Sequence, residues 1–181
     1  MRALLTSFLA VPLLLASIAI ADARPLTADE KQQLEQAVQS FDAAMRGQNY
    51  EVVTNTIPPR ILDFIAKQAN MEVEALRAIV VQQMQAALAT VKLEGFSMDV
   101  AAMTEKELAS GEPYVLIPTE TTMDSEATGK LVAKSDTLAL LDEGKWDLLR
   151  VNDAQQVAIL RQVYPEFATV EFPGGTMEAV E

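Results

Sequence analysis

Few side chains in this sequence are equipped for chemistry, and their spacing narrows them further. Trp146, Leu148 and Arg150 stand at alternate positions, so on a β-strand they share one face. An indole offers a flat apolar surface with one polar edge, and a guanidinium offers a planar fork that fits a carboxylate. With Tyr114, from an earlier apolar run, Trp146 and Arg150 form the candidate ligand-binding set. A tryptophan beside a hairpin turn serves equally well as core packing. Asp99, Asp136 and Asp142 fall in or beside expected strands. Inside an apolar hollow such a carboxyl would keep its proton to higher pH and could shuttle it, with Tyr114 as partner. On an ordinary strand it faces water, and Asp142 reads as a turn residue. Met71, Met84, Met98, Met103 and Met123 carry the soft sulfur that copper(I) takes, but their spacing builds no cluster, and methionine commonly fills core gaps. Asp124-Ser125-Glu126 is acidic without the ligand spacing of a calcium loop. The seven glycines are scattered as turn punctuation, and none belongs to a phosphate-cradling motif.

Two absences bound the function more tightly than anything present. The chain has no cysteine, which excludes a thiol nucleophile, thiolate metal sites, a lipid-modified cysteine and disulfides. It has no histidine, which removes the commonest general base, the usual zinc ligand and every Ser-His-Asp arrangement. No catalytic residue, metal-ligand set or cofactor motif is assigned. The formal charge of −12 argues against a nucleic-acid backbone and against an anionic membrane surface. Its ordinary meaning is a solvated, soluble surface.

The start of the chain sets the expected location. Arg2 precedes an uncharged apolar run over residues 3–20, and Ala21-Asp22-Ala23 gives the small-x-small pattern of a cleavage site. The run approaches the length of a short membrane span, but Pro12 and the alanine-rich end favour a removable signal. The expectation is cleavage after Ala23 and release into the periplasm or outside the cell, with no stable membrane anchor afterwards. That leaves 158 of the 181 residues, enough for one domain with a real core.

Periodicity supplies the elements that must position the candidate site. Thr27 and Glu30 form a capping box, and Leu34, Ala37, Val38, Phe41, Ala44 and Met45 make one apolar helix face that Gly47 is expected to end in a left-handed cap. Residues 50–56 suggest a short helical turn, and Pro59 suits the start of a helix through Lys67 over Ile61, Leu62 and Ile65. Asn70 is a plausible cap for a fourth helix with the stripe Val73, Leu76, Val80, Met84, Ala87, Leu88 and Val91. The period then falls to two, giving strands around Phe96, Met98 and Val100, over residues 114–122, over 131–141 and over 146–151. Pro118 implies an edge position or a bulge. Asp142-Glu143-Gly144-Lys145 is a tight turn, and Asp153 caps a last helix carrying Val157, Leu160 and Val163, closed by Pro165. The fold class is α+β: N-terminal helices packed on a curved antiparallel sheet, with a short C-terminal helix. Residues 1–23 are the signal, 24–165 one domain, and 166–181 an irregular acidic tail. Phe41, Leu76, Val80 and Leu88 are the positions expected to be deeply buried.

This layout resembles the cone-shaped nuclear-transport-factor-2-like superfamily, and also a group of uncharacterised secreted bacterial proteins built on that plan. The resemblance rests on the long first helix ending in Gly47-Gln48-Asn49-Tyr50, the Pro58-Pro59-Arg60 break and residues 135–151 as the final hairpin, and it covers roughly residues 27–163. Enzymes of that superfamily place acid and base residues in the cone, often Asp with Tyr or His. No such set aligns here residue by residue, so no catalytic role carries over. The expected function is therefore an exported, non-enzymatic binding or accessory module with a cone-like pocket or sheet face. Its partner would be a small ligand or an envelope protein, with a homodimer through the sheet as a further association. The alternative is a small lyase or isomerase working through carboxylate and tyrosine proton transfer in the cone.

Overall fold

Thr27 opens the first helix, α1 (Ala28–Arg46), through the expected capping box. Its hydroxyl accepts from the Glu30 amide at 3.2 Å, and the Glu30 carboxylate accepts from the Thr27 amide at 2.7 Å. The computed structural model that shows this describes residues 24–180; the signal-peptide expectation, residues 1–23, lies outside them. Arg24 also forks onto Glu30, with its two terminal nitrogens 2.9 and 2.7 Å from the two carboxylate oxygens. That guanidinium first, and the Thr27 amide second, hold the Glu30 carboxyl down at about 2. The chain before α1 is tied to the sheet as well: the backbone nitrogen of Arg24 lies 2.6 Å from Glu107, and that of Leu26 lies 3.1 Å from Glu105. Leu34, Val38, Phe41 and Ala44 are the buried face of α1.

The helix ends differ from expectation in an instructive way. Gly47 is not left-handed, with φ at −83°; the next residue, Gln48, takes φ 55°. Glycine suits position 47 for space, because a Cβ there would sit 3.1 Å from the Ala43 carbonyl oxygen. After α2 (Tyr50–Thr54), Pro59 stands in the first turn of α3 (Pro59–Gln68), as its fixed φ and missing N–H permit. Asn70 does not cap the helix that follows. It adopts φ 52° and terminates α3, while α4 (Val73–Leu88) starts from Glu72 without a side-chain cap.

A curved antiparallel half-barrel sheet receives these helices. The strands are β1 (Lys92–Met98), β2 (Thr104–Glu107), β3 (Pro113–Ser125), β4 (Gly129–Asp142), β5 (Lys145–Arg150) and β6 (Thr176–Ala179). β3 and β4 form the long central hairpin. β1 and β2 lie end to end along the free side of β3, and β5 and β6 lie end to end along the free side of β4. Pro118 is thus in a central strand, neither at an edge nor in a bulge. Its carbonyl accepts from the Asp99 amide at 2.8 Å, on the side where the 3-10 turn Val100–Ala102 separates β1 from β2. The missing proline N–H faces that interruption, where no ladder partner is lost. The bulge is in β1, where the register slips between Leu93 and Gly95. Glu143 (φ 49°) and Gly144 (φ 80°) make the tight turn from β4 into β5.

Alternation along the strands gives the sheet two faces. On the concave face Phe96, Val115, Ile117, Ala139, Trp146 and Leu148 meet the buried stripe of α1. On the outer face Tyr114, Leu116, Leu138 and Leu140 are covered by α5 (Ala154–Val163), capped by Asp153 as expected, and by the turn Pro165–Phe167. Residues 166–180, the described part of the segment 166–181, are therefore not an irregular tail. Phe167 is 1% exposed, Phe172 stacks on it at 6.1 Å, and β6 pairs with residues 131–134 of β4, the stretch that β5 leaves uncovered. Less of the sheet is consequently open to a second copy than the sequence suggests. α4 is the second departure. Of the four positions expected deep in the core, Phe41 and Leu76 are buried, but Val80 and Leu88 are only half-buried, because α4 packs on α2 and α3 and little lies over its C-terminal half. Among the described residues no helix is long and apolar enough to cross a membrane.

Candidate functional site

The curvature of the sheet and the loose seating of α4 leave a half-enclosed cavity of about 270 Å³ at the C-terminal end of β5. Phe41 of α1, Val53 of α2, Ile57 of the loop before α3, Met84 of α4 and Leu148 of β5 form its apolar walls. Thr137 of β4, Arg150 of β5 and Gln156 of α5 supply the polar positions, beside Thr56. Thr137 and Arg150 are register partners across β4 and β5, so alternation sends both to the concave side. The cavity is a little smaller than drug-sized ligand sites, which run from about 300 Å³ upward, but shares their mostly apolar lining and few polar groups.

Hydrogen bonding at the polar end is lopsided. Thr119 donates its hydroxyl proton to the Ile117 carbonyl at 3.0 Å and shares a second bond of 2.8 Å with Thr137. The Oε1 of Gln156 is buried without a partner among the described residues. None of the ion pairs found among the described residues uses Arg150. The residues lining the cavity include no carboxylate.

The three residues singled out for ligand binding are not brought together. Arg150 alone lines the cavity. Trp146 shares its face but is 3% exposed, packed in the core, with its indole nitrogen donating to the Glu30 carbonyl at 2.9 Å. Tyr114 points to the opposite face, where it is 5% exposed and meets Phe167 edge-on at 5.4 Å. Burial raises its hydroxyl pKa. Its neighbours in register explain the split: Tyr114 faces Leu140, whereas Trp146 faces Leu141, one residue and one face away.

The aspartates are equally dispersed. Asp99 is exposed, and its carboxylate accepts from the Ala101 and Ala102 amides. Asp136 lies beside Pro118 on the outer face, in an open groove of about 470 Å³ with Asp99, Glu120 and Lys134. Asp142 is more than a turn residue. It accepts from the Tyr164 hydroxyl at 2.7 Å and lies 3.9 Å from Arg60, whose guanidinium stacks 4.2 Å over the Tyr164 ring. Burial, then Asp142, drive the Tyr164 pKa upward. Beside them Asp147, 1% exposed, is pushed up by desolvation and partly relieved by Lys145 at 2.8 Å. Lys145 also donates to the Asn55 carbonyl, so this network fastens the β4–β5 turn to the end of α2.

Thr137 and Gln156 were not legible as site residues. Alternation from Arg150 across the hairpin would have found Thr137, but nothing in the sequence marks Gln156, which reaches the cavity only because α5 starts just after β5 ends. No protein-family model matches the chain, and neither a curated protein nor a solved structure is significantly similar to it.

Proposed function

We propose that this chain is an exported, non-enzymatic binding module that holds a small apolar molecule in the cavity at the end of β5. The observation that carries the reading is the cavity lining: a mostly apolar surface from separate elements, with the exposed Arg150, which has no ion-pair partner among the described residues, at its border, and no carboxylate, imidazole or thiol. Such a surface can hold a molecule and orient one polar end of it, but offers no residue to take up a proton. The carboxylates and the tyrosine of a lyase-like reading lie elsewhere, on the outer face or in other networks. Membership of the nuclear-transport-factor-2-like superfamily is part of the proposal, supported by a curved sheet with helices over its hollow side. Export is supported by the apolar run and the cleavage pattern of residues 1–23. An envelope protein would give or receive the molecule. A second copy of the chain would have to dock around Pro118 and Glu120, where α5 leaves the outer face open.

The test is direct. Protein purified from residue 24 onward should bind an apolar fluorescent dye such as N-phenylnaphthylamine at about one per chain. Met84→Trp, which adds bulk from a half-buried wall position, should abolish that binding while the protein stays folded. Dye binding unaffected by Met84→Trp would refute the cavity as the site. Intact mass of the exported protein should begin at Arg24, and full-length protein in the membrane fraction would refute the processing.

A further inference from the structure

We propose that β6 is a docking edge on which a second copy of this chain pairs antiparallel, centred on Met177. This edge stands apart from the cavity and turns on backbone that the sheet leaves unpaired. A strand at the margin of a sheet presents N–H and C=O groups to any extended chain, and folds normally cover or charge such a margin. The other margins of this sheet are engaged by the fold itself. The Phe96 carbonyl of β1 accepts from the Arg46 guanidinium, and the Leu148 amide of β5 donates to the Thr56 carbonyl at 2.8 Å. Glu105 and Glu107 of β2 accept from the chain before α1. β6 pairs with β4 on one side, and no strand among the described residues pairs with its other side. It is exposed along its whole length. Among the described residues Met177 is the most exposed large apolar side chain, at 63%, and Val180 just beyond β6 stands at 42%.

The ladder to β4 decides which groups are free. Opposite residues of an antiparallel pair alternate between exchanging hydrogen bonds and not. The Val180 amide donates to the Lys130 carbonyl at 3.0 Å, and Glu178 and Thr176 face Val132 and Lys134 at two-residue steps from there. Their amides and carbonyls therefore turn to β4, and those of Met177 and Ala179 turn outward. An antiparallel partner must set outward residues against outward residues, so the registers open to a second β6 are few. Met177 against Ala179 would put Glu178 directly opposite Glu178, like charge on like. Ala179 against Ala179 leaves only that residue of each β6 in the overlap. Met177 against Met177 overlaps Thr176, Met177 and Glu178 of both strands. It joins two exposed apolar side chains and sets each Glu178 opposite Thr176 of the other copy.

Charge selects a second copy as the occupant. Thr176 and Glu178 share the outer face with Lys134, which stands opposite Thr176 on β4. In the Met177-centred register, Glu178 of one copy and Lys134 of the other lie two strand spacings apart, about 10 Å. Only the short Thr176 stands between them, so two long side chains can meet. Glu178 enters none of the ion pairs found among the described residues, and Lys134 makes only a loose approach of 3.7 Å to Glu120. The two-fold axis repeats the contact, and each copy offers the acid and the base that the other needs. The contact borders the open patch around Pro118 and Glu120. An edge this short makes a weak, concentration-dependent dimer.

Sedimentation velocity of the chain from residue 24 onward should show its mass rising toward twice the monomer value between about 10 µM and about 1 mM, the range of small interfaces. Met177→Pro should abolish the rise, because proline lacks the N–H that faces the partner and β4 does not use that N–H. Dye binding in the cavity should be unchanged by Met177→Pro, so the edge and the cavity stand or fall separately. Glu178→Lys and Lys134→Glu should each weaken self-association about ten-fold by setting like charges together. Mixed in equal amounts, these two variants should associate again, since only the mixed pair brings opposite charges together at both contacts. That mixture decides the matter should Met177→Pro disturb β6 itself. A chain still monomeric at about 1 mM, a dimer that survives Met177→Pro, or a mixture that associates no better than its components overturns the proposal.

Discussion

The two faces of the sheet are finished to different standards. On the outer face the aromatic rings of Tyr114, Tyr164, Phe167 and Phe172 meet at 5.4 to 6.4 Å, and Leu138 and Leu160 are wholly buried. On the concave face α1 packs well, with Phe41 and Phe96 at 5.8 Å. The layer beyond it does not: α4 buries only Leu76, exposes Ile79 and leaves a void beside Met84. Interiors are normally packed to crystal density, and a cavity costs stability in proportion to its size. The difference therefore divides the molecule into a face that holds the fold together and a face that keeps a volume free.

Substitutions can break that contrast or sharpen it. Phe167→Ala should cost about 3–5 kcal/mol in a denaturant titration, because it empties the centre of the filled face. Met84→Ala, on the wall of the void, should cost about 1 kcal/mol by the same measurement, since its side chain is only half-buried and the site is already partly open. Equal costs for the two would show that the faces do not differ. Filling the void should be tolerated: Met84→Trp should change stability by less than about 1.5 kcal/mol, where added bulk in a tight core costs about 1–3 kcal/mol.

Smaller effects concern charge. Asp147 is a carboxylate shielded from water at the hairpin, with a folded pKa raised mainly by burial. Its ionised form is therefore a burden on the fold. The burden is present above the raised folded value and gone below the unfolded value of about 3.9. Asp147→Asn keeps the shape and an acceptor for Lys145, so it should raise stability by about 1 kcal/mol at neutral pH, an advantage that fades on acidification. Glu30 has the opposite sign. Its contribution is full above the unfolded value of about 4.3 and lost as pH falls toward about 2. Glu30→Gln should flatten the acid limb of a melting-temperature profile over that window; an unchanged profile would contradict the assignment.

Local chemistry was readable along most of the chain. The Thr27–Glu30 box, Pro59 at a helix start, the Asp153 cap and the two-residue period of the strands each depend on neighbours close in sequence, and each forms. What escaped depends on partners far away. Pro118 sits mid-sheet because a 3-10 turn interrupts the strand beside it. Thr176 to Ala179 become a strand because β5 stops short along β4. Phe167 and Phe172 have no periodicity to announce them, yet they seal the outer face. The α4 stripe was read as core from its spacing, but spacing reports an apolar face and says nothing of whether anything covers it. The same gap limited the site. Trp146 and Arg150 share a face by alternation, as they do in the sheet, while Tyr114 joined them by type alone, and one residue of register sends it to the opposite face.

The anchoring of Arg24 bears on the proposed cleavage after Ala23. Its backbone nitrogen lies 2.6 Å from the Glu107 carboxylate, and its guanidinium grips Glu30. In the full chain that nitrogen is a neutral amide. Cleavage after Ala23 would turn it into an ammonium, placing a full positive charge against Glu107 on β2. Removal of the leader would thus do more than release the protein: it would create the ion that fastens the new amino terminus to the sheet. A chain beginning at Arg24 should melt higher than one carrying a single extra alanine, and lose the difference in Glu107→Gln and at pH well above the amine range of about 7.7–8.0.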